Sequence, residues 1–522
     1  MVAPVLSRRS ALTLGLGASA AIATLPATGV GRAHAAGAPR DYTSRGVFDS
    51  YDEFFHAGDI NGQPDQENAN ETGGYAWAQS YVLDGFAAMY RAYGDPVYLD
   101  RMVTNIDLIL ERTDAARGVT DYRGESLPAW RAMGPYTVGS APLLDDAGDV
   151  AFEYRTSRGP ADVTSVEVRH EADGLFALVV RNSARGTTDE FTGLSADPAS
   201  ARYAVAVVYD AFGTAANNST LHDLGTGARP AAGVYAATAL PAIFAVHTGM
   251  VTAPIAAFVG IVRGEGRLQR RYGGRVARYL RAVEAAVAVH DHEWVDLGAG
   301  RGTYRWPKGM TVPYDGNDQP VNQSLGLGRT LCELAHLTRR RRYADRVRAL
   351  AKLLRSEIWT EDGAAQWHYW PSTASIFSGY AATGDPASDV SLHNPSYGTP
   401  GNGADQIEDT SHGAISVQFA AAAHRYRLGI GEADLRALAR TFTHKLATTG
   451  ADGLATVFTR VNGTGVAPSG QYLQAPRWID AAEWDPAVFE HALAIYSDHQ
   501  PEPGLGSGLA SIGNLNWFAA TH

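Results

Sequence analysis

Cysteine is almost missing: Cys332 is the only one in 522 residues. No internal disulfide can form, so a large core has to hold the fold. Cys332 lies in an apolar helical pattern and reads as packing, not as a nucleophile. Cationic runs are nearly missing too. The net charge is −11, and the one Lys/Arg tract is Arg339-Arg340-Arg341-Arg342. Phosphate binding needs a basic stripe, so nucleic acid is excluded as a partner. The four arginines join two helical segments and read as a solvated turn. Beyond the N-terminal region, no stretch of membrane length is free of charges or breakers, so no membrane span is expected. There is no Walker loop and no dinucleotide fingerprint within a βαβ unit. Gly504-Leu505-Gly506-Ser507-Gly508 only approximates a nucleophile elbow and lacks the strand-elbow-helix context. His290-Asp291-His292-Glu293 lacks the i, i+4 spacing of a zinc pair and reads as exposed helix-end polarity. No cofactor and no metal are expected.

The N-terminus reads as an address. Ser7-Arg8-Arg9-Ser10 is a twin-arginine signature, residues 11–23 are a short apolar segment, and Ala33-His34-Ala35 is a cleavage site. Residues 1–35 are therefore expected to be a signal peptide, and the mature protein to be exported and secreted.

Aromatics with a polar edge are plentiful, with 10 Trp and 24 Tyr. Flat faces stack on sugar C–H surfaces while the edges donate hydrogen bonds, so a carbohydrate groove uses these residues. Much of the chain reads as helix pairs. Residues 75–93 show apolar positions at helical spacing, Gly94-Asp95-Pro96 breaks them, and 98–112 resume. The same syntax recurs in 322–337 and 343–358. Tyr98-Leu99-Asp100-Arg101 and Tyr343-Ala344-Asp345-Arg346 follow the two turns. Other helical segments are 246–262, 271–290, 413–426, 432–448 and 485–496. Repeated hairpins of this length bury their faces against neighbours. The expected fold is mainly α: an (α/α) barrel or toroid, with an open solenoid as the competing arrangement. Residues 143–223 interrupt it as a β-rich insertion, with strands at 163–169 and 175–181 around Glu171-Ala172-Asp173-Gly174 and a third at 203–209. The toroid then comprises 36–142 and 224–522.

Five polar constellations could carry chemistry. In Glu408-Asp409-Thr410-Ser411-His412-Gly413, acids, hydroxyls and an imidazole sit at a helix mouth, where Thr410 or Ser411 can cap the helix. The breaker-rich loop before it holds His393 and Tyr397. Trp306 and Asp315 precede Pro320-Val321-Asn322-Gln323 at a second mouth. Trp367-His368-Tyr369-Trp370 is a third group; if extended, His368 and Trp370 share one side and Trp367 and Tyr369 the other, as a sugar-binding wall. Arg477 is a fork suited to a substrate carboxylate, and Trp77 lies at the mouth of the first helix.

The loop ending in Pro-x-Asn-x, then a helix with small residues, a turn and Tyr-x-Asp-Arg, resembles the (α/α)-toroid carbohydrate enzymes. These include polysaccharide lyases, uronyl C5-epimerases and glycoside hydrolases. The match spans most of 50–140 and 230–500. Within the insertion, Phe176-Ala177-Leu178-Val179-Val180-Arg181 and Glu190-Phe191-Thr192-Gly193-Leu194-Ser195 resemble β modules of phage tail sheath-type proteins. A polysaccharide or oligosaccharide is the expected partner. Two reactions compete. In β-elimination on an acidic polysaccharide, Asn322 neutralises the carboxylate, His412 or Tyr369 takes the C5 proton, Tyr397 is the acid and Arg477 orients the sugar. In hydrolysis, two carboxylates flank the bond, drawn from Asp315, Asp318, Glu408, Asp409, Asp480 and Glu483. The abundance of His, Tyr and Asn tips the expectation to a lyase. A non-catalytic glycan-binding protein is a third reading.

Overall fold

The computed structural model describes residues 39–56, 69–134, 136–212, 219–383, 387–398, 403–504 and 506–522. The expected signal, residues 1–35, lies outside them.

Local chemistry sets the helix boundaries. Helix α1 is Arg45–His56, α2 is Ser80–Tyr93 and α3 is Pro96–Leu110. Gly94 adopts the left-handed conformation that ends α2, the Asp95 side chain accepts from the Val97 N–H, and Pro96 opens α3. The next pairs are α4 (Ala245–Gly264) with α5 (Gly266–Ala288), and α6 (Val321–Thr338) with α7 (Arg341–Glu357). Then come α8 (Thr410–Arg425), α9 (Glu432–Arg440), α10 (Ala487–His499) and α11 (Gly506–Thr521).

The packing closes a ring. Helix α2 packs on α4, α4 on α6, α6 on α8, and α8 on the 3-10 turn Ala475–Ala481; that turn packs on α11, and α11 returns to α2. Outside it, α3, α5, α7, α9, α10 and α1 each back one inner element. Six inner and six outer elements make an (α/α) toroid, and the closure excludes the open solenoid. By length and composition α4 could cross a membrane, but it is mostly buried within the ring and carries Pro254. Gly249 lets it touch α6: a Cβ there would come within 2.4 Å of the Gly326 backbone. Cys332 is buried on α6, as packing requires. Each fully buried Leu, Val or Phe of the inner layer adds about 1.5–3 kcal/mol.

The β strands occupy the break in the helical pattern. Strands β1 (Gly139–Leu144), β2 (Val150–Thr156), β6 (Ser219–Asp223) and β8 (Thr238–Ala239) form one antiparallel sheet in the order β6-β2-β1-β8. Strands β3 (Thr164–His170), β4 (Phe176–Asn182), β5 (Thr187–Leu194) and β7 (Gly233–Ala236) form a second, ordered β5-β4-β3-β7. The strands thus begin before 143 and end after 223. The expected third strand at 203–209 is instead helical, within Ala204–Phe212. Ala204 and Val208, one turn apart, enter the core between the sheets, and that burial outweighs the β propensity of the valines. Arg131–Ala132 pairs antiparallel with Ala242–Ile243, so the chain leaves the toroid and returns at one place. The Val138 N–H donates to the Thr311 carbonyl, and Tyr209 bonds to Ser396, so the β module stands against the loops of the ring's mouth.

After three of the outer helices, α5, α7 and α9, a short sheet precedes the next inner element: Trp294–Gly298 with Arg301–Tyr304, Trp359–Glu361 with Ala364–Gln366, and three strands within 447–466. The loops that follow, 305–320 and 367–409, run to the N-termini of α6 and α8. Alternating helix direction therefore gathers the polar loops on one face.

Candidate functional site

Two backbones pin the acid segment at the start of α8. The Glu408 N–H donates to the Trp367 carbonyl, and the Val461 N–H donates to the Glu408 carbonyl. Asp409, rather than Thr410 or Ser411, is the N-cap: its Oδ1 accepts from the Ser411 and His412 N–H groups at 2.9 and 3.0 Å. Gly413 is needed because a Cβ there would lie 2.9 Å from Trp478.

Three titratable groups meet here. Asp409 Oδ2 and His412 Nδ1 are 2.5 Å apart. Burial disfavours charge on both, but the pairing prevails: Asp409 is held well below the ordinary carboxylate value and His412 above the ordinary imidazole value. Glu408 has no exposed surface. Burial, and then the adjacent negative Asp409, push its carboxyl up to about 7. Its Oε2 accepts from the Asn322 amide at 2.9 Å, across from the start of α6. Ligand atoms of Glu408, Asp409 and His412 lie within 4.8 Å of one another, so the trio could also hold a divalent cation. Of the three, His412 is the most open, with 14% of its side chain accessible.

Tyr369 joins this group. Its ring centroid is 5.9 Å from that of His412, and the Gln323 amide donates to its hydroxyl at 3.3 Å. Trp370, Trp306, Tyr314 and Tyr397 belong with it to a buried aromatic cluster that includes Tyr81 and, at its edge, Trp77. Trp306 and Tyr314 stack, and Trp370 meets both edge-on. Tyr397 is linked to Gln406 at 3.5 Å and stacks on Tyr380, so it reaches the acids only through the other aromatics. Trp77 Nε1 donates to His247 Nε2 at 3.1 Å.

Other expected positions lie elsewhere. His368 packs against Trp359 and Phe377. Trp367 enters the main core beside Trp478. Strict alternation fails at Trp370, which turns to the Tyr369 side just before Pro371. Asp315 is fully buried and accepts from the Gly309, Leu392 and His393 N–H groups and the Ser391 hydroxyl, so its oxygens staple two loops instead of meeting sugar. Asp318 is tied to Arg305 and Thr373. Arg477 is buried, and its Nη1 donates to the Ser411 carbonyl at 3.1 Å. His290 and Glu293 are buried partners at 2.6 Å that also engage Thr248 and Gln319. This corrects their reading as exposed polarity. Gln323, Tyr81 and Gln406 were not singled out. Gln323 adjoins Asn322 in the same motif, whereas no sequence signal marks Tyr81 as the ring beneath Arg477, 4.6 Å away.

No protein-family model matches this chain, and no curated protein matches it. Two solved structures are similar in fold. One is a family 76 glycoside hydrolase from a bovine Bacteroides thetaiotaomicron strain, with 11% identity, a TM-score of 0.32, and coverage of 53% of this chain and 56% of that one. The other is an inactive variant of the alpha-1,6-mannanase GH76A of Salegentibacter sp. HEL1_6 in complex with alpha-1,6-mannotetrose, with 11% identity, a TM-score of 0.34, and coverage of 53% and 75%. The match thus spans little more than half the length of the first. Neither lends support to the tail-sheath resemblance of the insertion.

The expectation of a polysaccharide lyase is corrected here. Both similar structures are glycoside hydrolases, not lyases. The geometry gives the physical reason. Burial raises the phenol of Tyr369 above its ordinary value, and pairing with Asp409 raises His412 above the ordinary imidazole value, so neither expected base stands ready to take a proton. The Asn322 amide is spent on Glu408.

Proposed function

We propose that this protein is a glycoside hydrolase acting on an oligosaccharide or polysaccharide through Glu408 and Asp409. One observation carries the reading: two neighbouring carboxyls are driven to opposite protonation states, Glu408 up to about 7 and Asp409 down. Such a split assigns an acid and an anion. Glu408 keeps its proton and delivers it to the leaving glycosidic oxygen. Asp409 stays negative and stabilises the cationic charge that develops at the anomeric carbon. His412 balances Asp409 in the ground state and orients it. We propose further that the chain is exported through the twin-arginine pathway with its signal removed near Ala35; intact mass from culture medium tests this.

The test of activity is incubation with a panel of neutral and acidic polysaccharides, alpha-1,6-linked mannan among them. Hydrolysis releases reducing ends without the absorbance band of unsaturated uronates. The release should vanish with Glu408→Gln. Products carrying that band, or no cleavage across the panel, would refute the hydrolase reading.

A further inference from the structure

Arg477 is 2% exposed, and its cation is not neutralised. Nη1 is engaged, donating to the Ser411 carbonyl at 3.1 Å and more loosely to Gln474 Oε1 at 3.4 Å. One face of the guanidinium lies over the Tyr81 ring, 4.6 Å from its centroid. Among the described residues, Nε and Nη2 have no hydrogen-bond partner. These two nitrogens form one edge of the fork, and their N–H bonds project side by side. That is the edge a carboxylate binds with both oxygens. The nearby anions are already claimed: Asp409 pairs with His412, and Asp84 pairs with Arg329 at 3.0 Å. A buried cation with two idle parallel donors is costly unless something fills the edge. Arg477 lies just behind the acid trio, since its Nη1 holds the carbonyl of the residue preceding His412.

We infer that Arg477 is a specificity-determining residue whose buried, unpartnered Nε/Nη2 edge binds the carboxylate of a uronic acid in the substrate. This rests on the hydrolase reading for its place in a reaction, but the carboxylate site itself does not. The ring of Tyr81 fixes the plane of the fork, and the Ser411 carbonyl fixes its tilt. A neutral hexose at the same position would leave both donors stranded. The discrimination should therefore be large, at least about 10²-fold in kcat/KM, as for other sites built around a required polar partner.

The experiment compares uronate polymers with their carboxyl-reduced forms and with sulfated neutral polymers, using the full chain. The wild type should cleave a uronate polymer at least about 10²-fold better than its reduced form. Arg477→Gln should collapse that ratio, and Arg477→Lys should recover only part of it, because a point charge lacks the fork. Equal cleavage of native and reduced polymers, a preference for sulfate, or an unchanged ratio in Arg477→Gln would overturn the inference. If Arg477→Gln does not fold, the wild-type ratio and Arg477→Lys decide. If no polymer is hydrolysed, the hydrolase reading has failed, and the carboxylate site is judged by thermal shift. D-glucuronate should then raise the wild-type unfolding midpoint where D-glucose does not; equal or absent shifts overturn it.

Discussion

Asp315 and Glu408 are both fully buried, and both lie on loops that lead to an inner helix of the ring. Their surroundings differ. Asp315 collects three backbone N–H donors and a hydroxyl, so its carboxylate is fully supplied by the chain. Glu408 accepts from one amide of Asn322 and the N–H of Asp409, and faces a second negative charge. Burial alone therefore says little about function. A carboxyl saturated by local donors is a staple, and one left short of donors beside another acid is held protonated and free to give its proton away.

The largest effect should come from Glu408→Gln. It keeps the shape and the contact with Asn322 but removes the proton, so turnover should fall by about 10²–10⁴-fold while the unfolding midpoint holds or rises. Activity that survived this change but not Asp315→Asn would reverse the assignment of the two residues. Next, Asp315→Ala should strand four donors and cost roughly 3–5 kcal/mol of stability, read as a shift in denaturant midpoint.

The pH profile sharpens the contrast. The fall in kcat/KM on the alkaline side should centre near 7, where Glu408 loses its proton. Stability should follow a definite sign. Below the ordinary glutamate value of 4.5, Glu408 is protonated folded or unfolded and its shift costs nothing. From there to about 7 the unfolded chain gives up the proton first, so stability declines, by roughly 3 kcal/mol in all. Asp409, held low, contributes stability above the ordinary aspartate value of 3.8 and loses it on acidification. His412, held high, contributes below the ordinary imidazole value of 6.5 and loses it as pH rises through its folded value. Thermal midpoints should therefore peak between 3.8 and 4.5, above the Asp409 loss and below the onset of the Glu408 cost. A smaller effect is expected from Asn322→Leu. Removing the amide takes away a bond that favours ionised Glu408, so the alkaline limb should move upward by about one pH unit at most. Smallest of all, a chelator should change activity less than about twofold, because His412 Nδ1 and Asp409 Oδ2 already satisfy each other.

Much of this was legible in the sequence where local chemistry decides. Gly94-Asp95-Pro96 marks a helix boundary by itself, and the hairpin at Glu171-Ala172-Asp173-Gly174 lies between β3 and β4 as its turn residues require. Glu408, Asp409 and His412 stood together in the chain, and their geometry follows from one helix cap. What was not legible depends on distant partners. Residues 506–521 are not among the expected helices, yet α11 runs there. Gly506 and Gly513 are the places where α11 meets the backbone of residues 78 and 85, so the missing side chains are what the seam requires. The role of Asp315 depended on a loop nearly eighty residues away, which its own neighbourhood does not announce. His290 was misread because helix-end position was taken for exposure, whereas Thr248 bonds to it and Gln319 bonds to its partner Glu293.

The seam between α2 and α11 has a further consequence for how the molecule comes into being. Asn516 donates to the carbonyl of Tyr42, 474 residues earlier. The apolar face of α2 finds its main cover only when α11 has been synthesised. Early in translation that face is naked, and it stays so while everything between is made. An unfinished ring is thus a sticky object whose earliest hairpin waits longest, and a ribosome stalled before residue 506 would hold a chain prone to aggregate rather than a nearly complete protein.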